Sequence, residues 1–530
     1  MAGQGEEEDA PCEVCGTLAA RRCASCRLVA YCGRQHQKEH WPAHKELCRP
    51  FQVQESASLG RHLVATRRLE AGALLLAEAP LVTGPRLREP AALCPGCLRA
   101  PDPSGLARCP RCLLALCGAA CPALKAHQPE CAVLRVEPSP LAPPYALLTP
   151  LRCLLLQRRH PQRWAQLLQL EAHQDKRGPG TDAYRELRSS VVEPLRSRFL
   201  SKLPPDALPD CSEATLHRVC GILDVNAMEV RGVGGADCVA LYPTACLMEH
   251  SCVPNTRHGF DVDPAGPHHL RLSLRAAAPI ARGEHVSTMY THALWATHAR
   301  RAHLRETKHF TCTCRRCADP SELGTCLAGL RCLGALGDGS CGGTQLPTEP
   351  LRDDTEWRCD RCPAAVPAAD VEELVAHLGD EVDAVQADRP TAPQLQALLD
   401  KLLALLHPHH FHVFAVLHSL LQLLGDGLPE DRLRWKAERC RDLLGVCRAL
   451  DPAGARLSLY SAVLQLELAR ATRELGARDG TRAGAVAEAL ALLRSAQRSL
   501  QPEPQGFPGA RYRDVVEQEL AKVEAAVPTQ

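Results

Sequence analysis

The spacing of the cysteines constrains this chain more than any other feature. There are 29 cysteines in 530 residues, many of them in C-x-x-C pairs, with histidines at ligand spacing after the first ones. The N-terminal MAGQGEEEDAP is acidic and lacks the apolar segment of a secretory signal. No run of about 18 apolar residues occurs, so no transmembrane helix is expected. The expected setting is therefore reducing, cytoplasm or nucleus, where thiols do not pair as disulfides. Thiols and imidazoles so spaced serve zinc.

Residues 12–48 carry Cys12, Cys15, Cys23, Cys26, Cys32, His36, His44 and Cys48, enough donors for two tetrahedral zinc ions. Residues 94–131 repeat the order with Cys94, Cys97, Cys109, Cys112, Cys117, Cys121, His127 and Cys131, which reads as an internal duplication. Further on, Cys312, Cys314 and Cys317 leave a zinc one ligand short. Cys332, Cys341, Cys359 and Cys362 fit a zinc ribbon, with Cys326 competing for one place and a Gly- and Asp-rich linker as the competing reading. Cys153, Cys211 and Cys220 lack ligand spacing and read as buried thiols.

Between these modules, Leu63–Thr66 and Leu74–Leu76 read as two short strands around a turn at 70–72. TPLRCLLLQRRHPQRWAQLLQLEAH, ELRSSVVEPLRSRFLSKL and EATLHRVCGIL have helical spacing, with a loop at 175–181. RLSLRAAAPIARGEHVSTMY reads as a strand, a turn at 279–283 and another strand. After residue 366 apolar residues recur at three and four, broken near Gly425–Gly427 and at Pro452, which predicts antiparallel helix pairs. His407, His409, His410 and His412 read as a helix-entry cluster rather than a metal site. A net charge of +1, with 23% charged residues, gives no electrostatic case for direct nucleic-acid or membrane binding.

Four segments occur in the order GILDVNAMEV, LYPTACLMEHSCVPNTR, ARGEHVSTMY and HFTCTCRRC. This order resembles the SET and MYND domain family of protein lysine methyltransferases, in its arthropod-type branch. The resemblance implies an α+β multidomain fold. It predicts an acidic disordered N-terminus (1–11), a MYND-type zinc finger (12–48), the first part of a β-rich SET domain (51–93) and a second MYND-like finger inserted in it (94–131). A helical insertion (132–220), the SET core (221–305), a post-SET strip (306–320), a zinc ribbon (321–365) and a helical C-terminal domain (366–530) complete the chain. The family's interleaving implies ligand sets of Cys12, Cys15, Cys32 and His36; Cys23, Cys26, His44 and Cys48; Cys94, Cys97, Cys117 and Cys121; and Cys109, Cys112, His127 and Cys131. Cys252 is the implied fourth post-SET ligand, for about six structural zinc ions in all.

The same resemblance implies that S-adenosyl-L-methionine is the cofactor. Gly60, Arg61, His62, Asn226, Glu249, His250, Tyr290 and Phe310 fall where the family places its contacts, and Tyr290 is the implied catalytic residue. Asn255 is expected to hold the knotted segments together. The chain departs from the family at Glu249, where Asn is usual, at His62 in place of a second glycine, and at Lys308, where several members carry tyrosine. The implied activity is methyl transfer to a lysine of a histone or other protein, with peptide ligands of the fingers as further partners. The competing reading is a zinc-dependent adaptor with a weak or inactive site.

Overall fold

The computed structural model of this chain describes residues 10–19, 21–23, 29–48, 50–57, 59–88, 92–101, 107–118, 121, 123–139, 144–204, 206–233, 236–261, 269–334, 341–501 and 508–525. Residues 1–9 of the expected acidic tail, and Cys26, lie outside these. Ala10–Pro11, inside the span expected to be disordered, form a two-residue strand with Leu18–Ala19. The chain divides into two compact units. One is Met1–Glu249, Asn255–Ser287 and Pro504–Phe507; the other is His250–Pro254, Thr288–Glu503 and Pro508–Gln530.

In the first unit the N-terminal finger consists of strand pairs no longer than two residues and a helix, Arg34–Cys48. Its buried apolar cluster contains little besides its cysteines, Ala19, Ala30 and Tyr31. Such a segment needs metal to hold its shape. The second finger differs, because its cysteines share one core with Leu147, Leu148, Leu151 and Leu154 of helix Tyr145–Arg159. Gly84 permits part of this approach, since a Cβ there would collide with the Thr149 side chain.

The β-rich part is several small antiparallel sheets. Phe51–Ser56 pairs with Gly60–Ala65; Leu74–Glu78 pairs with Leu272–Ala276, which pairs with Thr256–Phe260; Val82–Gly84 pairs with Ala236–Leu241, which pairs with Met228–Val233. The expected strands on either side of Gly72 are therefore both present but are not partners. Leu63, Leu75, Leu272, Leu274, Ile280 and Val286 are buried together beneath them. The helical insertion holds Pro161–Leu168, Asp182–Leu187, Glu193–Arg198 and Glu213–Asn226. Thr181 and Ser212 cap two of these, their hydroxyls accepting from the N–H groups of Tyr184 and Thr215. Cys153 and Cys220 are buried, but Cys211 is exposed in the turn before Ser212, against expectation.

The second unit carries helix Thr297–Lys308, then a four-stranded antiparallel ribbon of Leu330–Arg331, Thr344–Pro347, Trp357–Cys359 and Ala365–Val366. The ribbon sequence is thus folded rather than a linker. Helices Ala368–Ala387, Ala392–Leu405, Phe411–Leu423, Glu430–Leu450, Ser458–Arg478, Arg482–Leu500 and Pro508–Ala525 follow. Their apolar faces make two clusters, one running from Leu395 through Phe414 and Leu443 to Leu468 and a second joining Leu466, Leu493, Leu500, Val516 and Leu520 of the last three helices. His410 caps Phe411–Leu423, its Nδ1 accepting from the His412 N–H, and His412 Nε2 lies 3.2 Å from the Val375 carbonyl. The histidine cluster is therefore built into helix entry. Among the described residues no helix is long and apolar enough to cross a membrane.

Candidate functional site

Five donor sets come together with all ligand atoms of each within 4.8 Å of one another: Cys12, Cys15, Cys32, His36; Cys94, Cys97, Cys117, Cys121; Cys109, Cys112, His127, Cys131; Cys252, Cys312, Cys314, Cys317; and Cys332, Cys341, Cys359, Cys362. A zinc tetrahedron with bonds of about 2.3 Å has sulfur–sulfur edges of about 3.8 Å. Observed separations include 3.6 Å for Cys15–Cys32, 3.8 Å for Cys94–Cys121, 3.6 Å for Cys109–Cys131, 3.5 Å for Cys252–Cys317 and 3.7 Å for Cys341–Cys359. The donors therefore fit zinc in number, type and span. Of the remaining set, the Cys23 and Cys48 sulfurs lie 3.5 Å apart and His44 is buried, while Cys26 is outside the described residues. Cys326 belongs to none of these five sets. Metal analysis of the pure protein is expected to give about six zinc equivalents. A value near four removes the post-SET and ribbon assignments.

Two arrangements around these ligands were not legible in the sequence. In the second finger His127 turns Nε2 to Cys112 at 3.1 Å and Nδ1 to Glu130 at 3.1 Å. Arg152 of the neighbouring helix donates to Glu130 (3.2 Å) and to the Thr83 carbonyl (2.8 Å). Such a carboxylate fixes the ring orientation of a metal-ligating histidine. The only sequence signal is the carboxylate three residues beyond the histidine, which spacing alone does not separate from a surface acid. The post-SET set is likewise supported by charge. Arg300, fully buried, donates to the Cys252 and Cys317 sulfurs at 3.3 and 3.5 Å and to Glu322 at 2.6 Å. Arg316 reaches Glu322 at 3.1 Å and the Cys252 carbonyl at 3.4 Å. Burial opposes the Glu322 charge, yet the two guanidiniums hold its carboxyl below the usual range.

The residues singled out as cofactor contacts divide between the units. In the first, Gly60 opens a strand at φ +63, and Arg61 and His62 continue that strand rather than forming a turn. Arg61 donates to the Gln169 carbonyl, and His62 is buried with its ring 4.8 Å from that of His285. Asn226 ends helix Glu213–Asn226, and its amide nitrogen donates to the carbonyls of Glu171 (2.7 Å) and Ile222 (2.8 Å). Glu249 Oε1 meets His285 Nδ1 at 2.9 Å, while its buried Oε2 has no hydrogen-bond partner among the described residues. Asn255 ties two segments together: its amide donates to the His285 carbonyl at 2.7 Å and accepts from the Ser287 N–H at 2.9 Å.

In the second unit three rings gather. His250 and Tyr290 have centroids 5.4 Å apart, His250 and Phe310 5.9 Å, and Tyr290 and Phe310 6.4 Å in an edge-on contact. His250 Nδ1 accepts from the Tyr290 N–H at 3.1 Å, which directs its remaining proton to Nε2, 3.3 Å from the Cys252 sulfur. Burial pushes the His250 pKa down to about 4, so the ring is neutral at physiological pH. Phe310 is 37% exposed, and Lys308 Nζ stands 5.9 Å above the Tyr290 ring. His309 between them takes φ 60, which ends helix Thr297–Lys308 and redirects the chain to Phe310. A candidate cofactor histidine thus contacts a candidate zinc ligand directly, and one of its partner rings, Phe310, lies on the strip that carries the other three.

An α+β chain with small antiparallel sheets, clustered zinc-type donor sets and a C-terminal block of helices defines the class. Residues 12–48 match the model of the MYND finger family. The SET domain-containing protein SmydA-8, isoform A, of Drosophila melanogaster is 30% identical over 325 residues, covering 60% of this chain and 66% of that protein. Histone-lysine N-methyltransferase SMYD3 of Mus musculus is 30% identical over 49% of this chain and 60% of its own length. N-lysine methyltransferase SMYD2 of Gallus gallus is 29% identical over 49% and 58%. This chain is similar to members of the SET and MYND domain family. The match spans less than two thirds of the length of each of these three relatives.

Proposed function

We propose that the chain is an S-adenosylmethionine-dependent methyltransferase acting on lysine side chains of proteins, histone tails or others. The observation that carries this reading is the ring cluster of His250, Tyr290 and Phe310, fixed to the zinc set of Cys252, Cys312, Cys314 and Cys317. The names of two relatives, a histone-lysine and an N-lysine methyltransferase, agree with it.

Chemical features of this chain suit the cofactor. The buried and unpartnered Oε2 of Glu249 is an acceptor that an ammonium donor would satisfy. The half-exposed Phe310 ring offers an aromatic face to a purine. Asn226 has its amide nitrogen engaged and offers its side-chain oxygen. The residues proposed to hold the cofactor are Gly60, Arg61, His62, Asn226, Glu249, His250, Tyr290 and Phe310. When bound, the cofactor supplies a methyl carbon activated by its sulfonium charge. The protein's task is to align a lysine amine with that carbon and keep the amine neutral. Tyr290, held by the His250 contact to its backbone N–H, orients the amine through its hydroxyl. Apolar burial of the target amine lowers its pKa. The zinc ions take structural roles and touch none of the reacting atoms.

Reduced cytoplasm and nucleus are the proposed setting, since both keep zinc thiolates intact. Peptide segments of other proteins are the proposed ligands of the fingers. Calorimetric titration of S-adenosylmethionine into the full chain tests the reading, with saturable binding expected. Absence of binding leaves the zinc-dependent adaptor.

Glu249 supports a second expectation. A carboxylate favours the sulfonium ground state, and that attraction fades as charge leaves during transfer. Glu249→Asn is expected to raise turnover on a protein substrate by about threefold or more, even if cofactor affinity changes little. Tyr290→Phe lowers turnover in either background. If Glu249→Asn abolishes activity, the Glu249–His285 pair is part of the working site.

A further inference from the structure

Lysine is scarce in this chain: only nine of its 62 lysine and arginine residues are lysines, so each can be weighed singly. Lys202, Lys401, Lys436 and Lys522 meet the carboxylates of Glu137, Glu381, Glu467 and Glu519 at 2.6, 2.5, 2.7 and 3.3 Å. Lys308 has a neighbour of another kind. Its Nζ stands over the Tyr290 ring, 5.9 Å from the centroid, within the range of a cation–π contact. Tyr290 is the residue proposed above to orient the acceptor amine. A primary amine of the chain itself therefore sits beside the group that would receive a substrate lysine.

The end of helix Thr297–Lys308 sets this placement. His309 turns into the left-handed region at φ 60, and its N–H donates to the Leu304 carbonyl. The Phe310 N–H reaches the same carbonyl at 3.4 Å. One turn thus fixes both the root of the Lys308 side chain and the Phe310 ring, which meets Tyr290 edge-on. Leu304 is fully buried in a cluster with Cys252, Cys312 and Cys317, and Tyr290 packs against that cluster. The amine and the tyrosine are therefore referred to one anchored element. The ring face and the negative end of the helix both favour a cation here, and the four-carbon stem leaves the nitrogen free to swing towards the hydroxyl.

We propose that Lys308 is itself a methyl acceptor of this site, modified in cis by the chain that carries it. The inference rests on the methyltransferase reading above and names an acceptor for it. The Lys308 nitrogen, as the free amine, forms a bond to the methyl carbon of S-adenosylmethionine. The carbon–sulfur bond breaks with its electron pair going to sulfur, S-adenosylhomocysteine leaves, and the nitrogen gives up one proton to water. The product keeps its positive charge and gains apolar surface, so it holds to the Tyr290 face more firmly than the parent amine.

The test has two arms, both on the full zinc-loaded chain. In the first, the lysines are reductively methylated with isotope-labelled formaldehyde and followed by magnetic resonance, with Lys308→Arg assigning the Lys308 signal. On saturation with S-adenosylhomocysteine that signal is expected to shift more than those of the other eight lysines. In the second, unmodified chain is incubated with methyl-labelled S-adenosylmethionine and its fragments are weighed. Label at Lys308 is expected at least about tenfold above any other lysine of the chain, because an acceptor held in place has a high effective concentration. The initial rate per chain stays constant on dilution, and a Tyr290→Phe chain added as acceptor stays unlabelled at Lys308. Label on histone lysines with none at Lys308 overturns this inference and leaves the methyltransferase reading standing. A rate per chain that rises with concentration, or label on the Tyr290→Phe chain, overturns the step in cis. An unmoved Lys308 signal while calorimetry shows S-adenosylhomocysteine bound removes the amine from the site. Failure of S-adenosylmethionine to bind overturns the underlying reading and this inference with it.

Discussion

Glu322→Gln is expected to destabilise the second unit by about 3–5 kcal/mol, far more than loss of any surface ion pair. Glu322 is 2% exposed and is the counter-charge for Arg300 and Arg316, whose side chains are themselves buried. Glutamine keeps the size and can still accept from the Thr297 N–H, which Glu322 now does at 2.9 Å. It cannot neutralise two guanidiniums held away from water, and its amide would point donors at donors. The thiolates of the post-SET set offset part of the Arg300 charge, but Arg316 reaches only carbonyls besides Glu322. Hydrogen exchange in helix Thr297–Lys308 reads the loss locally, which suits a chain of several modules better than one melting temperature. Asp353→Asn, which breaks the half-exposed pair with Arg305, costs about 1 kcal/mol or less and is the control. Equal losses in the two variants would show that the buried triad is not a stability element.

Cys314→Ser is expected to remove one zinc equivalent and lower methyl transfer by about 100-fold or more. Its sulfur belongs to a set whose other members are Cys252, Cys312 and Cys317. Without the metal, Cys252 no longer fixes His250 Nε2, and the strip bearing Phe310 loses its anchor. The effect passes through geometry, so cofactor binding and turnover fall together, while zinc in the two fingers is retained. Cys211→Ser, at an exposed thiol outside the five donor sets described above, leaves both unchanged. A Cys314→Ser protein that binds the cofactor normally contradicts the coupling.

The ligand sets were legible because zinc imposes short, repeated spacing on the residues that bind it. The order in which they interleave came from family resemblance, since spacing alone allows adjacent pairing as well. Helices were legible from their three- and four-residue apolar repeat. Strand pairing was not: Leu74–Glu78 looks like the neighbour of Gly60–Ala65 along the chain, yet its partner is Leu272–Ala276, brought in after an inserted finger and five helices. Cys211 read as a buried thiol because lack of ligand spacing says nothing about exposure. Arg300, Arg316 and Glu322 give no signal in the sequence, because charged residues on a helix and in a loop ordinarily face solvent. Glu249 stands out in the sequence as a departure from the family, but its pairing with His285 is a contact between separate segments of the first unit, invisible to any local pattern.

The most direct test of the whole account is transfer of isotope-labelled methyl from S-adenosylmethionine to protein by the full zinc-loaded chain, followed by mass spectrometry of the labelled residues. The account predicts label on lysine side chains, lost in Tyr290→Phe and in Cys314→Ser. Saturable cofactor binding with label on no lysine, using histones and a whole-cell protein extract as acceptors, would contradict it.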